Sequence, residues 1–273
     1  MKTVVGFLGA GSMAEAIISG MVANAVIPPE QIYVTNQSNR ERLEELQQKY
    51  DIQTTTSKQE LVEKSDVVIL AMKPKHIKEA AAELRDWLTE EKVIVSLLAG
   101  ISTSFMEQQL ASGNPVIRVM PNTSAMIGES ATTIAAGQHV TEAQVALVEK
   151  LIQSIGTTTI IQEKDMDAFT AVAGSGPAFY YFMVEAIEEF VVEQGLDPET
   201  AKPLIQQTIK GVAEMLAVSE DSPEMLRKKI TSPGGTTEAG LTTLADHGFQ
   251  EAILTCLEKT ANRSKEMREM FEK

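Results

Sequence analysis

The sequence has little cysteine, few aromatic residues and a shortage of positive charge. Its 273 residues include one cysteine and 5% aromatic side chains, with 24 Lys and Arg against 38 Asp and Glu, a net charge of -14. One cysteine excludes an internal disulfide, so we expect the reducing cytoplasm. The acidic surface repels nucleic acid and anionic membranes, so neither is an expected partner. No apolar run approaches the ~20 residues that span a bilayer, and no signal peptide precedes the first strand-like run.

The order of the apolar patterns predicts two domains. Short apolar runs alternate with helical patterns up to residue 162, which is typical of a doubly wound parallel sheet. Beyond it only helical patterns occur. We therefore predict an α/β domain over residues 1–162 and an all-α domain over 163–273. The predicted strands span residues 4–8, 32–35, 66–71, 93–97, 115–120 and 157–161.

A glycine turn follows the first predicted strand and opens a helix. It matches G-x-G-x-x-A at Gly9, Gly11 and Ala14. Gly9 allows a tight turn, Gly11 lets a pyrophosphate approach the backbone, and Ala14 allows close packing of helix on strand. This context predicts a Rossmann-type dinucleotide site in which Gly9, Gly11, Ser12 and Met13 bind the cofactor. The alternative is a structural turn without a ligand.

The end of the second predicted strand bears on the choice of cofactor. An NAD site usually has an acidic residue about 20 residues after the turn, but no acid precedes Glu41 here. Asn36 and Ser38 can donate hydrogen bonds, and Arg40 adds positive charge. We therefore predict that these residues bind NADPH in preference to NADH, with NADH possible. Alternatively, Arg40 is only a solvated residue at the start of a helix.

Small or polar residues follow three further strands. In an open parallel sheet, ligands bind at the carboxyl ends of the strands, so we expect these residues to line one crevice. Each segment alone also fits ordinary loop chemistry. The predicted cofactor contacts in these segments are Ala71, Lys73, Pro74, Ala99, Gly100 and Asn122.

Two glycine- and proline-containing segments interrupt the helical half. Residues 174–178 read Gly-Ser-Gly-Pro-Ala, and residues 232–237 read Ser-Pro-Gly-Gly-Thr-Thr. Glycine and proline are unfavourable inside helices, so both segments are predicted helix breaks. The second opens a helix, whose N–H groups and positive end suit a carboxylate. We expect a small-molecule substrate that carries one.

Together these motifs resemble the pyrroline-5-carboxylate reductase family nearly from end to end. The resemblance rests on the glycine turn, Met72-Lys73-Pro74, the segment from Arg118 to Asn122 and the two helix breaks. It implies reduction of L-1-pyrroline-5-carboxylate to L-proline with NAD(P)H, the last step of proline biosynthesis. It also implies a Rossmann domain followed by a helical dimerisation domain that interleaves with a second chain. Several members form decamers of five dimers.

The resemblance also implies roles for single residues. Gly235, Thr236 and Thr237 would bind the substrate carboxylate, and Thr237 would also lie near the ring nitrogen. Lys73 and Pro74 would lie beside the nicotinamide. Ser57 aligns where the family often has a cofactor-binding asparagine. The candidate catalytic residues are thus Thr237 and Lys73, and the substrate-binding set is Glu220, Gly235, Thr236, Thr237 and Ser175.

Other functions stay open beside this one. A β-hydroxyacid dehydrogenase needs a catalytic lysine early in its helical domain, and residues 165–195 contain neither Lys nor Arg. Another imine reductase and an NADPH-binding regulatory protein remain alternatives. His76, His139 and His247 lack paired ligand spacing, so no metal is expected. The proton donor is either Thr237 or water.

The first long helical pattern of the second half predicts the oligomeric state. Residues 179–184 and 190–192 are apolar nearly all round the helix, and such a helix must be buried. A domain this small has little interior of its own. We therefore predict a homodimer through the C-terminal helices, with a decamer as a possible larger assembly.

Overall fold

The computed structural model describes residues 3–36, 38–110 and 113–272 and divides the chain into two compact units. The first unit comprises Met1–Ser175 with Glu258–Lys273, and the second comprises Gly176–Leu257. This division differs from the predicted boundary at residue 162. Within the first unit, Glu163 bonds to Arg118, and Asp167 bonds to Arg268 near the end of the chain. A domain boundary at residue 162 stays a prediction.

The first unit is built on one eight-stranded sheet, in the order β3-β2-β1-β4-β5-β6-β7-β8. Neighbouring strands are parallel except β6 and β7. The strands are β1 (Val5–Leu8), β2 (Ile32–Thr35), β3 (Gln53–Thr55), β4 (Val67–Leu70), β5 (Val93–Ser96), β6 (Val116–Met120), β7 (Ser130–Ala136) and β8 (Gly156–Ile160).

Helices cover both faces of this sheet. The helices are α1 (Ser12–Ala23), α2 (Arg40–Tyr50), α3 (Lys58–Lys64), α4 (Ile77–Leu84), α5 (Thr103–Gln109), α6 (Glu142–Ile152) and α7 (Met166–Phe169). Residues of α1, α2 and α6 belong to one buried cluster, and those of α3, α4 and α5 to another. Because side chains alternate along a strand, an inner strand such as β4 contributes to both clusters: Val67 and Ile69 lie in one, Val68 and Leu70 in the other.

Two strands of this sheet were not expected from the sequence. The edge strand β3 reads Gln-Thr-Thr and is only half-buried, so it lacks the apolar run of an inner strand. Strand β7 reads Ser-Ala-Thr-Thr-Ile-Ala-Ala. Only a short 3-10 turn, Thr123–Ile127, connects β6 to β7, whereas a parallel pairing needs a long crossover. The pair is therefore antiparallel, the one exception among the described strands of a sheet that is otherwise parallel, as the sequence predicted.

The second unit is helical. Its helices are α8 (Gly176–Glu193), α9 (Pro198–Val218), α10 (Pro223–Lys229), α11 (Thr236–Asp246) and the beginning of α12 (Phe249–Phe271). In residues 176–257, all of which are described, only Gly176 and Val191 are buried. No strand occurs in the described residues after Ile160. Among the described helices, none is both long and apolar enough to cross a membrane.

Candidate active site

The glycine turn lies at the point where the strand order reverses. Strands β2 and β4 flank β1, and Leu8 is in register with Thr35 on one side and Leu70 on the other. The turn thus emerges between the ends of the two neighbouring strands. In open α/β sheets, ligands bind in the crevice at this switch point.

The backbone of Gly9 explains why the turn needs glycine there. Its φ of 120° is a conformation that side-chain-bearing residues rarely adopt. A Cβ at Gly9 would lie 2.5 Å from the carbonyl oxygen of Ala71. The Gly9 amide also donates to the Thr35 carbonyl at 3.0 Å. Gly9 therefore closes the turn tightly against both neighbouring strands.

The start of α1 is open and suits an anion. Gly11 is the N-cap residue, and no side chain caps the helix. A Cβ at Gly11 would meet no atom within 4 Å, and both Gly11 and Ser12 are exposed. The first N–H groups of a helix carry partial positive charge and need partners. A dinucleotide pyrophosphate could therefore approach the start of α1. Met13, the residue after Ser12, is half-buried.

A pocket of about 630 Å³ follows the end of β2. The predicted residues Asn36, Ser38 and Arg40 line it. Arg40 and Ser38 are exposed, and in the described part of the chain Arg40 has no ion-pair partner. The Asn36 Oδ1 accepts from the Ser38 and Asn39 amides, both at 3.1 Å, which orders the pocket wall. Sequence reasoning missed the other lining residues, namely Asn39, Glu41 and Thr56.

Four other predicted cofactor residues lie on loops that follow β4 and β5, and each is half-buried or exposed. Lys73 is exposed and precedes a 3-10 turn that begins at the half-buried Pro74. Ala71 is half-buried beside the glycine turn, and Ala99 is exposed after β5. All four residues follow carboxyl ends of parallel strands, as the sequence pattern predicted.

Ser57 has a structural role in addition to any contact with a cofactor. It is the N-cap residue of α3, and its hydroxyl oxygen accepts from the Glu60 amide at 3.1 Å. Ser57 is exposed, so its hydroxyl hydrogen stays available to a ligand.

The sequence pattern predicted that Gly100 and Asn122 contact the cofactor, but both residues are buried. Gly100 is buried, and a Cβ there would lie 3.3 Å from Phe271 at the end of α12. The Asn122 side chain is buried and already bonded: Nδ2 donates to the Ala173 carbonyl, and Oδ1 accepts from the Ser124 amide, both at 3.0 Å. These two residues shape the loops, because chain segments distant in sequence pack on them.

A partly buried ion pair joins Arg118 to Glu163, whose side chain is 25% exposed. The Arg118 side chain is 1% exposed, and its Nη1 donates to Oε1 of Glu163 at 2.7 Å. Arg118 Nε and Nη2 and Glu163 Oε2 have no partner among the described residues. Burial raises the pKa of Glu163 above its ordinary value, and the Arg118 charge limits that rise. The pair therefore joins β6 to the segment that follows β8.

The first predicted helix break occurs where expected. A wider π-helical turn, Thr170–Gly174, ends at Ser175, and α8 begins at Gly176. Such turns are rare and often lie at functional sites. Ser175 is half-buried, and its amide donates to the Thr170 carbonyl at 2.8 Å.

The second break forms an open helix start in the second unit. Gly235 is the N-cap residue of α11, without a capping side chain, and Gly234 has a φ of 70°. Thr236 is exposed and Thr237 half-buried, so their N–H and hydroxyl groups can meet a carboxylate. Glu220 is exposed, in the loop before α10.

Sequence reasoning missed two residues that hold these loops. Glu238 accepts from the Gly234 amide at 2.7 Å and so closes the turn before α11. Its position three residues after the N-cap is a known capping signal that could have revealed it. Arg42 donates to the Ala10 carbonyl within the glycine turn at 3.2 Å. No sequence pattern predicts that contact, which spans 32 residues.

No metal site accompanies these groups in the part of the chain that the structure describes. Nowhere in it do three His, Cys, Asp or Glu residues lie together as ligands.

Known proteins match both halves of the chain. The family model for pyrroline-5-carboxylate reductase dimerisation matches residues 163–267, and that for NADP oxidoreductase, coenzyme F420-dependent, matches residues 4–100. Pyrroline-5-carboxylate reductase 1 of Bacillus subtilis is 49% identical over 98% of this chain and 91% of its own. The Arabidopsis thaliana pyrroline-5-carboxylate reductase is 38% identical over 96% and 95%.

Solved structures agree with these relatives. A pyrroline-5-carboxylate reductase from Coxiella burnetii has a TM-score of 0.91 at 34% identity, covering 98% of this chain and 99% of that one. Plasmodium falciparum pyrroline carboxylate reductase, solved with NADP bound, has a TM-score of 0.88 at 29% identity over 97% and 98%. The chain therefore belongs to the pyrroline-5-carboxylate reductase family.

Proposed function

We propose that this chain reduces L-1-pyrroline-5-carboxylate to L-proline with NADPH, the last step of proline biosynthesis. The observation that carries the proposal is 49% identity to a pyrroline-5-carboxylate reductase over 98% of the chain. As a member of this family, the chain is an NAD(P)H-dependent oxidoreductase that binds a nicotinamide cofactor. The open glycine turn supports such a cofactor.

We assign the cofactor contacts to the first unit. The pyrophosphate would bind at Gly9, Gly11, Ser12 and Met13, where N–H groups of α1 lack a capping side chain. The cofactor supplies the hydride, while the chain orients it and excludes water. Further proposed contacts are Asn36, Ser38, Arg40, Ser57, Ala71, Lys73, Pro74 and Ala99. For Gly100 and Asn122 we propose an indirect role, since both are packed within the protein.

We assign the substrate carboxylate to the start of α11. Gly235, Thr236 and Thr237 offer N–H and hydroxyl donors at a positive helix end. Ser175 and Glu220 complete the proposed substrate set. The ring nitrogen gains a proton as hydride reaches the adjacent carbon, and Thr237 or water would supply that proton. Lys73 would lie beside the nicotinamide.

The test measures the rate at which NADPH absorbance falls when pyrroline-5-carboxylate is added. It compares wild type with Thr237→Ala and Thr237→Ser. We expect Thr237→Ala to lower kcat/KM for the imine about 100-fold, the usual scale for loss of a proton-transferring or positioning group. The serine variant keeps the hydroxyl and should retain most activity. The KM for NADPH should stay unchanged in both. Wild type without substrate-dependent NADPH oxidation would contradict the reaction itself.

The preference for NADPH over NADH is a finer proposal. It rests on the exposed Arg40 in the pocket after β2, where a 2′-phosphate could meet it. Glu41 lines the same pocket and opposes this preference. We expect Arg40→Ala to raise the KM for NADPH about tenfold, the scale of one charge-assisted contact, and to leave the KM for NADH unchanged. Glu41→Gln should lower the KM for NADPH. Equal effects of Arg40→Ala on both cofactors would remove the argument.

The oligomeric state also belongs to this proposal. The second-unit helices expose large apolar side chains, and the family model covering them describes dimerisation. We propose a homodimer through these helices, a possible decamer of dimers, and a cytoplasmic location. Light scattering measures the first two, and cell fractionation the third.

A further inference from the structure

A polar cluster ties the beginning of α1 to α2. Glu15, in the first turn of α1, accepts from Lys49 Nζ and from the Tyr50 hydroxyl, both at 2.9 Å. The Arg42 Nη2 group also donates to Glu15. All three donors lie on α2, so one carboxylate of α1 is held by three side chains of its neighbour.

Arg42 reaches beyond this carboxylate into the glycine turn. Its Nε donates to the Ala10 carbonyl at 3.2 Å, between the two glycines of the turn. The guanidinium is planar with donors at fixed angles, so its bonds to Ala10 and Glu15 fix the glycine turn relative to the first turn of α1. Arg42 is absent from the residues lining the pocket after β2, and its side chain is only 19% exposed. Arg42 therefore contacts the turn without lining that pocket.

The cluster also changes the electrostatics of the helix start. Glu15 brings a negative charge to the end of α1 that we propose for the pyrophosphate, in a chain of net charge -14. Lys49 and Arg42 hold the pKa of Glu15 at about 2, so the carboxylate stays ionised. Their two positive charges face it directly and offset its repulsion of an anion.

We propose that Arg42 is a positioning residue for the dinucleotide. It holds the Gly9–Gly11 turn in its phosphate-accepting conformation through the Ala10 carbonyl, and it neutralises Glu15 beside the open N–H groups. This inference rests on the proposed function of that turn. Because the pyrophosphate is common to NADPH and NADH, Arg42 should affect both cofactors equally, unlike Arg40.

The experiment measures KM and kcat with each cofactor, and binding of NADPH by fluorescence titration, in Arg42→Ala and Arg42→Lys. We expect Arg42→Ala to raise the KM for NADPH and NADH by the same factor, about tenfold, since small misplacements of a binding group have effects up to about 100-fold. The kcat should change less than about twofold. Arg42→Lys keeps the charge and one bond, so its effect should be smaller.

Glu45→Gln is the matched control, because Glu45 accepts from the same guanidinium at 2.7 Å but lies on the exposed side of α2. Its KM values should equal those of wild type. A lowered Tm in Arg42→Ala with unchanged cofactor KM would reduce Arg42 to a structural residue and overturn the inference. So would a change confined to NADPH. If Arg42→Ala fails to fold, Glu15→Gln is measured instead, since it keeps the bond from Arg42 to Ala10. It should change the KM for NADPH and the KM for NADH by the same factor. No change, or a change with one cofactor alone, would overturn the inference.

One further variant separates this inference from the proposed function. A methyl group at Gly11 meets no protein atom within 4 Å, so Gly11→Ala leaves the fold intact but obstructs a pyrophosphate. If Gly11→Ala does not weaken cofactor binding, the proposed cofactor site itself fails. If Gly11→Ala weakens binding and Arg42→Ala does not, only the role of Arg42 fails.

Discussion

The two units of the chain differ sharply in how they treat their apolar residues. Most strand residues of the first unit are buried, in two clusters on the faces of the sheet. In the second unit, Tyr180, Phe182 and Val218 are 64%, 74% and 74% exposed. Large apolar side chains exposed in such numbers are typical of an interaction surface. The first unit therefore buries most of its apolar side chains itself, whereas the second unit, which matches a dimerisation family model, leaves many of them exposed.

The largest effect is expected from a charged side chain on α8. We expect Phe182→Glu to prevent dimerisation and abolish activity, because a buried, unpaired carboxylate is very unfavourable in an interface. Light scattering gives the mass and the NADPH assay the activity. Gln48→Glu adds the same charge to an exposed position of α2 and should change neither. If the Phe182→Glu variant is a fully active dimer, the face of α8 that contains Phe182 is not part of the dimer interface.

In the first unit, the substitution with the largest expected effect on stability is at Arg118, which pairs with Glu163. We expect Arg118→Met to lower the free energy of unfolding by about 3 kcal/mol, the lower end of the effect of breaking a buried pair, because Glu163 loses its partner but keeps some contact with solvent. Urea unfolding at neutral pH measures this. Removal of an exposed pair partner in Lys64→Met should have a much smaller effect, because solvent screens that pair. A small effect at Arg118 would mean that Glu163 finds another partner or a proton.

The smallest expected effect is a pH dependence of that pair. Burial raises the pKa of Glu163 above 4.5, so the folded protein holds this proton at a higher pH than the unfolded chain. Its contribution to stability is full below the unfolded pKa and is lost as pH rises through the folded pKa. Glu163→Gln should remove this loss. Urea unfolding of wild type and Glu163→Gln at several pH values measures this. If the free energy of unfolding changes with pH identically in the two proteins, Glu163 makes no such contribution.

Much of this molecule was predictable because its signals are local. The glycine turn, the strand ends and the two helix breaks combine neighbouring residues with known preferences, and they indicated the family and fold class that were confirmed. The apolar runs predicted the inner strands. Strands β3 and β7 were not predicted, because their small and polar residues form no apolar pattern. Their pairing also depends on strands that lie elsewhere in the chain.

The sequence by itself determined the dinucleotide turn, the alternation of strands and helices, and the helical second half. Only the tertiary structure decided that Gly100 is packed beneath α12 and that Asn122 is already bonded. It alone joined Arg118 to Glu163 and Arg42 to the turn between Gly9 and Gly11. Propensities and motifs act between neighbours in the chain, whereas these contacts join residues that are far apart in the sequence and lie together only in the folded protein.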